Sequence, residues 1–155
     1  MRILPHSQTR AFTLVEIMIA VVIIGLLAAV ALPAFTRVTQ KTEHTTLVND
    51  LRTFSSAFEQ YSLENGLWPA DANAGVIPPG MASYLKSDAW TLTAAGNIQW
   101  DWEVATPMFN AAIVLSNCSY ADDRLRQLDA MLDDGDLTTG IFFKDGGTPV
   151  YVLER

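Results

Sequence analysis

From Ile17 to Phe35 the chain reads IMIAVVIIGLLAAVALPAF, 19 residues without a charge. No other feature restricts the fold as strongly. Wound as an α-helix, the run is about 28 Å long, close to the hydrocarbon thickness of a bilayer. A helix packed on the outside of a water-soluble core keeps a polar face, and this run has none. A secretory signal has an apolar stretch of about 7–15 residues followed by small residues at the cut. Ala29-Val30-Ala31 offers such a cut, but the run is longer and an acid, Glu16, stands at its head. The expectation is a membrane-spanning helix. A secreted protein behind an ordinary signal peptide is the rival reading.

Glu16 is the most informative single residue. A carboxylate carried into a membrane span costs several kcal/mol, and such groups usually have a partner and a task. The flanking sequence is Arg10-Ala11-Phe12-Thr13-Leu14-Val15-Glu16-Ile17. A cut between Ala11 and Phe12 would create an ammonium group at Phe12, one helical turn from Glu16 and on the same face. A carboxylate near a helix N-terminus is also favoured by the macrodipole.

These residues resemble the processing and anchoring signature of type IV pilins and type II secretion pseudopilins. That signature is a short basic leader, a small residue at the cut, then Phe-Thr-Leu-x-Glu and an apolar helix. Here the leader is Met1–Ala11 with Arg2 and Arg10, followed by Phe12, Thr13, Leu14 and Glu16. Ala11 stands where the family usually has Gly, the nearest substitute in size. The match covers residues 10–35, and Pro33 falls where these helices commonly carry a proline. The resemblance implies a structural subunit without catalytic activity. A prepilin peptidase would cut after Ala11 and N-methylate Phe12. The subunit would wait in the bacterial inner membrane, N-terminus cytoplasmic and head periplasmic. Inner-membrane assembly machinery would then draw it into a periplasmic or surface filament of sister subunits, where Glu16 meets a neighbour's N-terminal amine. An unpaired buried charge is expensive, so such pairing would set axial register. A membrane-anchored binding module that never polymerises is the other alternative.

Within the apolar run, Pro33 removes one hydrogen bond and crowds the carbonyl of Ala29, and Gly25 weakens its turn by about 1 kcal/mol relative to Ala. Together they predict a soft stretch between residues 25 and 33, seen as a kink or as melting during assembly. Gly25 and Ala29 also form a small-xxx-small pair that permits close helix approach.

Beyond Phe35 the composition turns polar without a turn signal. Leu47, Leu51, Phe54, Phe58 and Tyr61 then recur in steps of four and three, the spacing of an amphipathic helix. It should stop at Asn65-Gly66, with Gly66 as a left-handed cap and Pro69 barring resumption. One helix from Phe12 to Glu64 would be about 80 Å long. The domain organisation read from this is a leader (1–11), a membrane helix (12–35), an amphipathic stalk helix (36–65) and a globular head (66–155).

In the head, residues 66–87 read as a loop with a helical turn from Met81 to Lys86. Trp90–Thr93 is expected to pair, through a Gly96-Asn97 turn, with the alternating strand Ile98–Glu103. Phe109–Ser116 reads as a more buried strand, and Ser119 as the N-cap of a short helix with Leu125, Leu128 and Leu132 on its apolar side. Gly140–Lys144 and Thr148–Leu153 flank Asp145-Gly146-Gly147 as a hairpin. A long helix on a small antiparallel sheet is an α+β fold, and it is the pilin plan. Of the four tryptophans, Trp68 and one of Trp100 and Trp102 are expected inside as core filling.

Other chemistry has little support. A net charge of -7 argues against nucleic acid, whose phosphates need a dense Lys/Arg face. The single cysteine, Cys118, excludes an internal disulfide, and His6 and His44 stand apart from any clustered ligands. The exception is Asp133, Asp134 and Asp136 around Gly135, with Asp129 one turn earlier. Oxygen ligands crowded at a tight turn suit calcium; a solvated helix end is the plainer reading. Major pseudopilins resemble this in holding calcium in a late loop, though with a different loop sequence. No other cofactor is expected.

Overall fold

The computed structural model describes residues 12–155. The expected cut site at Ala11, the leader and His6 lie outside the described residues. The chain divides into two units, Met1–Gln40 and Lys41–Arg155.

Helix α1 is Leu14–Asn65, 52 residues with Pro33 inside it. The helix continues through Pro33, so the single chain carries no break there. Threonine hydroxyls on this helix turn back on its own carbonyls: Thr36 donates to Pro33 and Thr39 to Phe35. The last turn ends as the sequence predicts. Gly66 has φ 75°, and its amide donates to the Ser62 carbonyl at 2.8 Å.

In the second unit, α1 supplies the buried stripe Leu47, Val48, Leu51, Phe54, Ala57 and Phe58, with Tyr61 packed at its margin. This is the spacing read from the sequence. The stripe faces a four-stranded antiparallel sheet of order β1-β2-β4-β3, made of β1 (Gln99–Val104), β2 (Ala111–Ser116), β3 (Phe142–Asp145) and β4 (Thr148–Glu154). Trp100 pairs with Leu115, Trp102 with Ile113, and Ile113 in turn with Tyr151. The register slips between Ala111 and Ala112, where Asn110 donates its amide to the Glu154 carbonyl. The opposite face carries a smaller cluster of Phe109, Ala112, Val114, Phe143, Val150 and Val152. The architecture is α+β, a long N-terminal helix on a small antiparallel sheet, as expected.

Three local expectations are corrected. Trp90 does not lie on a strand: it belongs to α2 (Ser87–Thr91). There its indole fills the space beside Phe54 and Phe58, and Nε1 donates to the Val76 carbonyl at 2.8 Å. The edge of β1 that a strand would have taken is met by a loop instead. Gly75 donates to Trp100 O at 2.7 Å, and Ala72 bridges Trp102.

Ser119 does not cap α3 (Asp122–Leu132), whose N-cap is Ala121. Its hydroxyl and amide both donate to the Gly96 carbonyl at 2.8 Å, pinning the turn before β1. Asp122 and Asp123 serve the helix start through the macrodipole.

Finally, both Trp100 and Trp102 are buried, while Trp68 packs only partly against the core. Residues two apart on a strand share a face, so one could not go inside without the other. Phe58 stacks on Trp102 at 3.8 Å and 9° between planes. These indoles fill a core.

Candidate assembly helix and acidic site

The start of α1 is built by two residues. Thr13 precedes the first helical residue and Glu16 lies three positions on, the T-x-x-E pattern of a capping box. Both halves are present. Thr13 Oγ1 accepts the Glu16 amide at 3.2 Å, and Glu16 Oε2 accepts the Thr13 amide at 2.9 Å. The Thr13 hydroxyl also donates to Oε2 at 3.0 Å. The sequence reading had Thr13 only as part of a motif. The capping signature was legible in the residue types and gives it a task of its own, because it satisfies helix-end amides that have no intrahelical partner.

Beyond this cap, none of the described residues covers the apolar first part of the helix. From Leu14 to Phe35 every described residue is exposed, with Phe12 at 81% and Leu14 at 76%. An apolar helix bare on all sides is stable only in lipid or against other apolar helices. The segment is long and apolar enough to cross a membrane. At Gly25 an added Cβ would meet nothing within 4 Å, so its flat face is open to a neighbouring helix.

Where α1 enters the second unit, Glu43 and His44 face α3. Arg124 donates to Glu43 Oε2 at 2.6 Å and lies 3.8 Å over the Tyr120 ring. The hydrogen bond from Arg124 holds the Glu43 carboxyl below its ordinary range. His44 is buried, its Nε2 without a hydrogen-bond partner. Burial first, and the Arg124 charge second, push its imidazole pKa down, with Glu43 pulling weakly the other way. Tyr120 is pushed up to about 12, chiefly by burial. A neutral His44 wedged beside an ion pair is a packing arrangement with no open face for substrate. Burial likewise raises the Cys118 thiol, which removes the thiolate a nucleophile needs.

The acidic turn is assembled differently from the sequence reading. Asp133 and Asp134 come together, but their third partner is Asp129, one carboxylate oxygen of each lying within 4.8 Å of the others. Asp136 is engaged elsewhere: its Oδ1 accepts the Thr138 amide at 3.0 Å and hydroxyl at 2.7 Å, which hold its pKa down. Asp129 is 0% exposed, and neither of its oxygens is hydrogen-bonded. Burial pushes its pKa up to about 6, with Asp134, Asp133 and Asp136 adding to the rise. The Gly135 amide opposes this, without the geometry of a hydrogen bond. Asp129 was legible as a neighbour of the cluster. That it faces inward depends on how α3 lies against the core.

Comparison with known proteins bears on the first of these sites. The family model described as the prokaryotic N-terminal methylation motif matches residues 6–32. A type IV major pilin protein, PilE1, of Neisseria gonorrhoeae is 40% identical over 124 residues, covering 61% of this chain and 58% of the pilin. The fimbrial protein EcpC of Eikenella corrodens is 37% identical over 79 residues, half of this chain and 52% of its own. Type II secretion system core protein G of Escherichia coli K12 is 33% identical over 87 residues, 52% of this chain and 60% of its own. The chain thus spans between half and three-fifths of the length of these relatives. No solved structure gives a significant match.

Proposed function

We infer that this chain, whose N-terminal motif and relatives are those of the type IV pilin and pseudopilin family, is a structural subunit of a helical filament of the type IV pilus or type II secretion class. One observation carries the reading: a long apolar stretch of helix, bare among the described residues, headed by a carboxylate set at its N-terminus. A prepilin peptidase removes the leader after Ala11 and N-methylates Phe12. The subunit spans the inner membrane once, with its head on the periplasmic side, until the assembly machinery transfers it to the filament. There the apolar helices of sister subunits replace lipid around residues 14–35.

Glu16 has two oxygens. Thr13 engages Oε2, and Oε1 serves the amine of a neighbouring protomer. The pairing neutralises a charge that the filament core would otherwise bury at a cost of several kcal/mol. Pro33 and Gly25 supply the play that lets the helix adjust during transfer, since one removes a backbone hydrogen bond and the other adds backbone freedom.

The decisive variant is Glu16→Gln. Gln keeps the capping box, because its side-chain oxygen still accepts from the Thr13 amide, so the helix start stays intact and only the charge is lost. Filament yield in sheared fractions is expected to collapse, by about a hundredfold if an ion pair worth roughly 3 kcal/mol is lost at each addition. Mass spectrometry of the wild-type chain should give a mature N-terminus at methylated Phe12. Filaments from the Gln variant at wild-type yield, or a mature chain beginning near Leu32, would end this reading.

A further inference from the structure

We propose that His44 is an acid-sensitive latch between α1 and the leading end of α3: neutral, it lets the two close, and protonated, it drives them apart. His44 is the first residue of α1 to be buried, so it closes one end of the buried stripe, where an opening can start. All the groups involved lie in the second unit, and the device stands whether or not the chain polymerises.

The packing around His44 is closed and short of acceptors. Its ring is 3% exposed and meets the Tyr120 ring edge-on, with centroids 6.0 Å apart. Two buried nitrogens here lack a hydrogen-bond partner, His44 Nε2 and Arg124 Nε. The carboxylate that acts on His44, Glu43, is already engaged. Its Oε2 accepts from Arg124 at 2.6 Å and from the Tyr120 hydroxyl at 3.3 Å. Protonation sets an imidazolium, with no acceptor at Nε2, against a guanidinium. Burying that second cation beside one engaged carboxylate is costly, and opening relieves it.

What opens follows from the contacts. Arg124 ties α3 to Glu43 on α1 and lies over the Tyr120 ring. Tyr120 closes on Gly96, where a Cβ would not fit, and Ser119 beside it holds the Gly96 carbonyl through its hydroxyl and amide. Release of Arg124 thus frees the first turn of α3 and the turn before β1 together.

The neighbouring groups do not answer to mild acid in this way. Arg124 holds Glu43, and Lys144 holds Asp122, below the ordinary carboxylate range. Tyr120 is pushed up to about 12, and the Cys118 thiol is raised. Arg126 is paired with Asp123. Asp129, further along α3, is pushed up to about 6, but its protonation favours the folded chain. The open latch takes a proton at the ordinary 6.5 and the closed one only below it. Opening therefore grows as pH falls below 6.5, by at most about tenfold per pH unit.

The test is amide hydrogen exchange of the full chain in detergent, at about pH 7 and about pH 5.5, corrected for intrinsic rates. The amides of Ser119, Arg124 and Leu125, bonded to the Gly96 and Ala121 carbonyls, should lose protection about three- to tenfold, while those of β2 keep theirs. His44→Leu, which fills the site without titrating, should hold all of them level. The wild-type His44 ring, followed by NMR, should titrate below 6.5, a reading that needs no variant to fold. Unchanged protection of the three amides, the same loss in His44→Leu, an equal loss across β2, or a ring that titrates at 6.5 or above overturns the proposal.

Discussion

The joint between α1 and the sheet rests on Phe58, and Phe58→Ala is the sharpest probe of it. Its ring is 0% exposed, stacked on Trp102 at 3.8 Å and tilted against Trp90 at 5.3 Å. Truncation removes the transfer free energy of the ring and leaves a cavity that two large indoles, each hydrogen-bonded to a carbonyl, cannot easily collapse into. Phe→Ala at such a site costs about 3–5 kcal/mol, of which the paired ring contacts account for roughly 0.5–1.5. Against a typical domain stability of about 5–15 kcal/mol, that is enough to leave a visible unfolded population under mild denaturant. The assay is urea unfolding of the detergent-solubilised chain, followed by the fluorescence of the same indoles. The midpoint should fall while the slope stays unchanged. Leu63→Ala, on the same helix but 87% exposed, should shift stability by less than about 0.5 kcal/mol. If Phe58→Ala costs under about 1 kcal/mol, or matches Leu63→Ala, the helix is not held to the sheet through this contact.

Two further outcomes follow from the neck of the second unit. His44 is held neutral by burial, its pKa below the ordinary 6.5; the unfolded chain therefore binds a proton that the folded one rejects as pH drops below 6.5. The His44 contribution should be full above that value and be lost as pH falls through the folded pKa, against an opposite gain from Asp129, whose pKa raised to about 6 favours the folded chain at lower pH. Glu43, also held low, adds a second decline only below its ordinary 4.5. His44→Leu should flatten the first decline in pH-dependent thermal melts and leave the second; an unchanged profile would show that His44 is not the titrating group. Gly96→Ala should destabilise by about 1–3 kcal/mol, since residue 96 has φ 75° and an added Cβ would lie 2.3 Å from the Tyr120 ring. Wild-type melting of that variant would mean the turn has another way to close.

The parts of the molecule read correctly from sequence are those fixed by a short-range rule. The uncharged run from Ile17 to Phe35 needs only its length and lack of a polar face to be a helix seeking an apolar environment. The stripe from Leu47 to Phe58 needs only the helical period, and Gly66 only its freedom at positive φ. The capping box of Thr13 and Glu16 was missed, though its T-x-x-E spacing stands in the residue types.

What residue order left open was decided by competition for space and for hydrogen-bond partners. Trp90 had the look of a strand residue, but a helical turn places its indole between Phe54 and Phe58 while a loop takes over the edge of β1. Ser119 had the chemistry of a helix cap and was drawn instead to the Gly96 carbonyl. Asp129, Asp133, Asp134 and Asp136 are indistinguishable as letters. Only the packing of α3 turns Asp129 away from water and leaves Asp136 to Thr138. Local order determines which segments form helices and where they stop, because those interactions span about one turn; which carboxylate is buried depends on residues far apart in the chain meeting across a core, and that belongs to the tertiary structure.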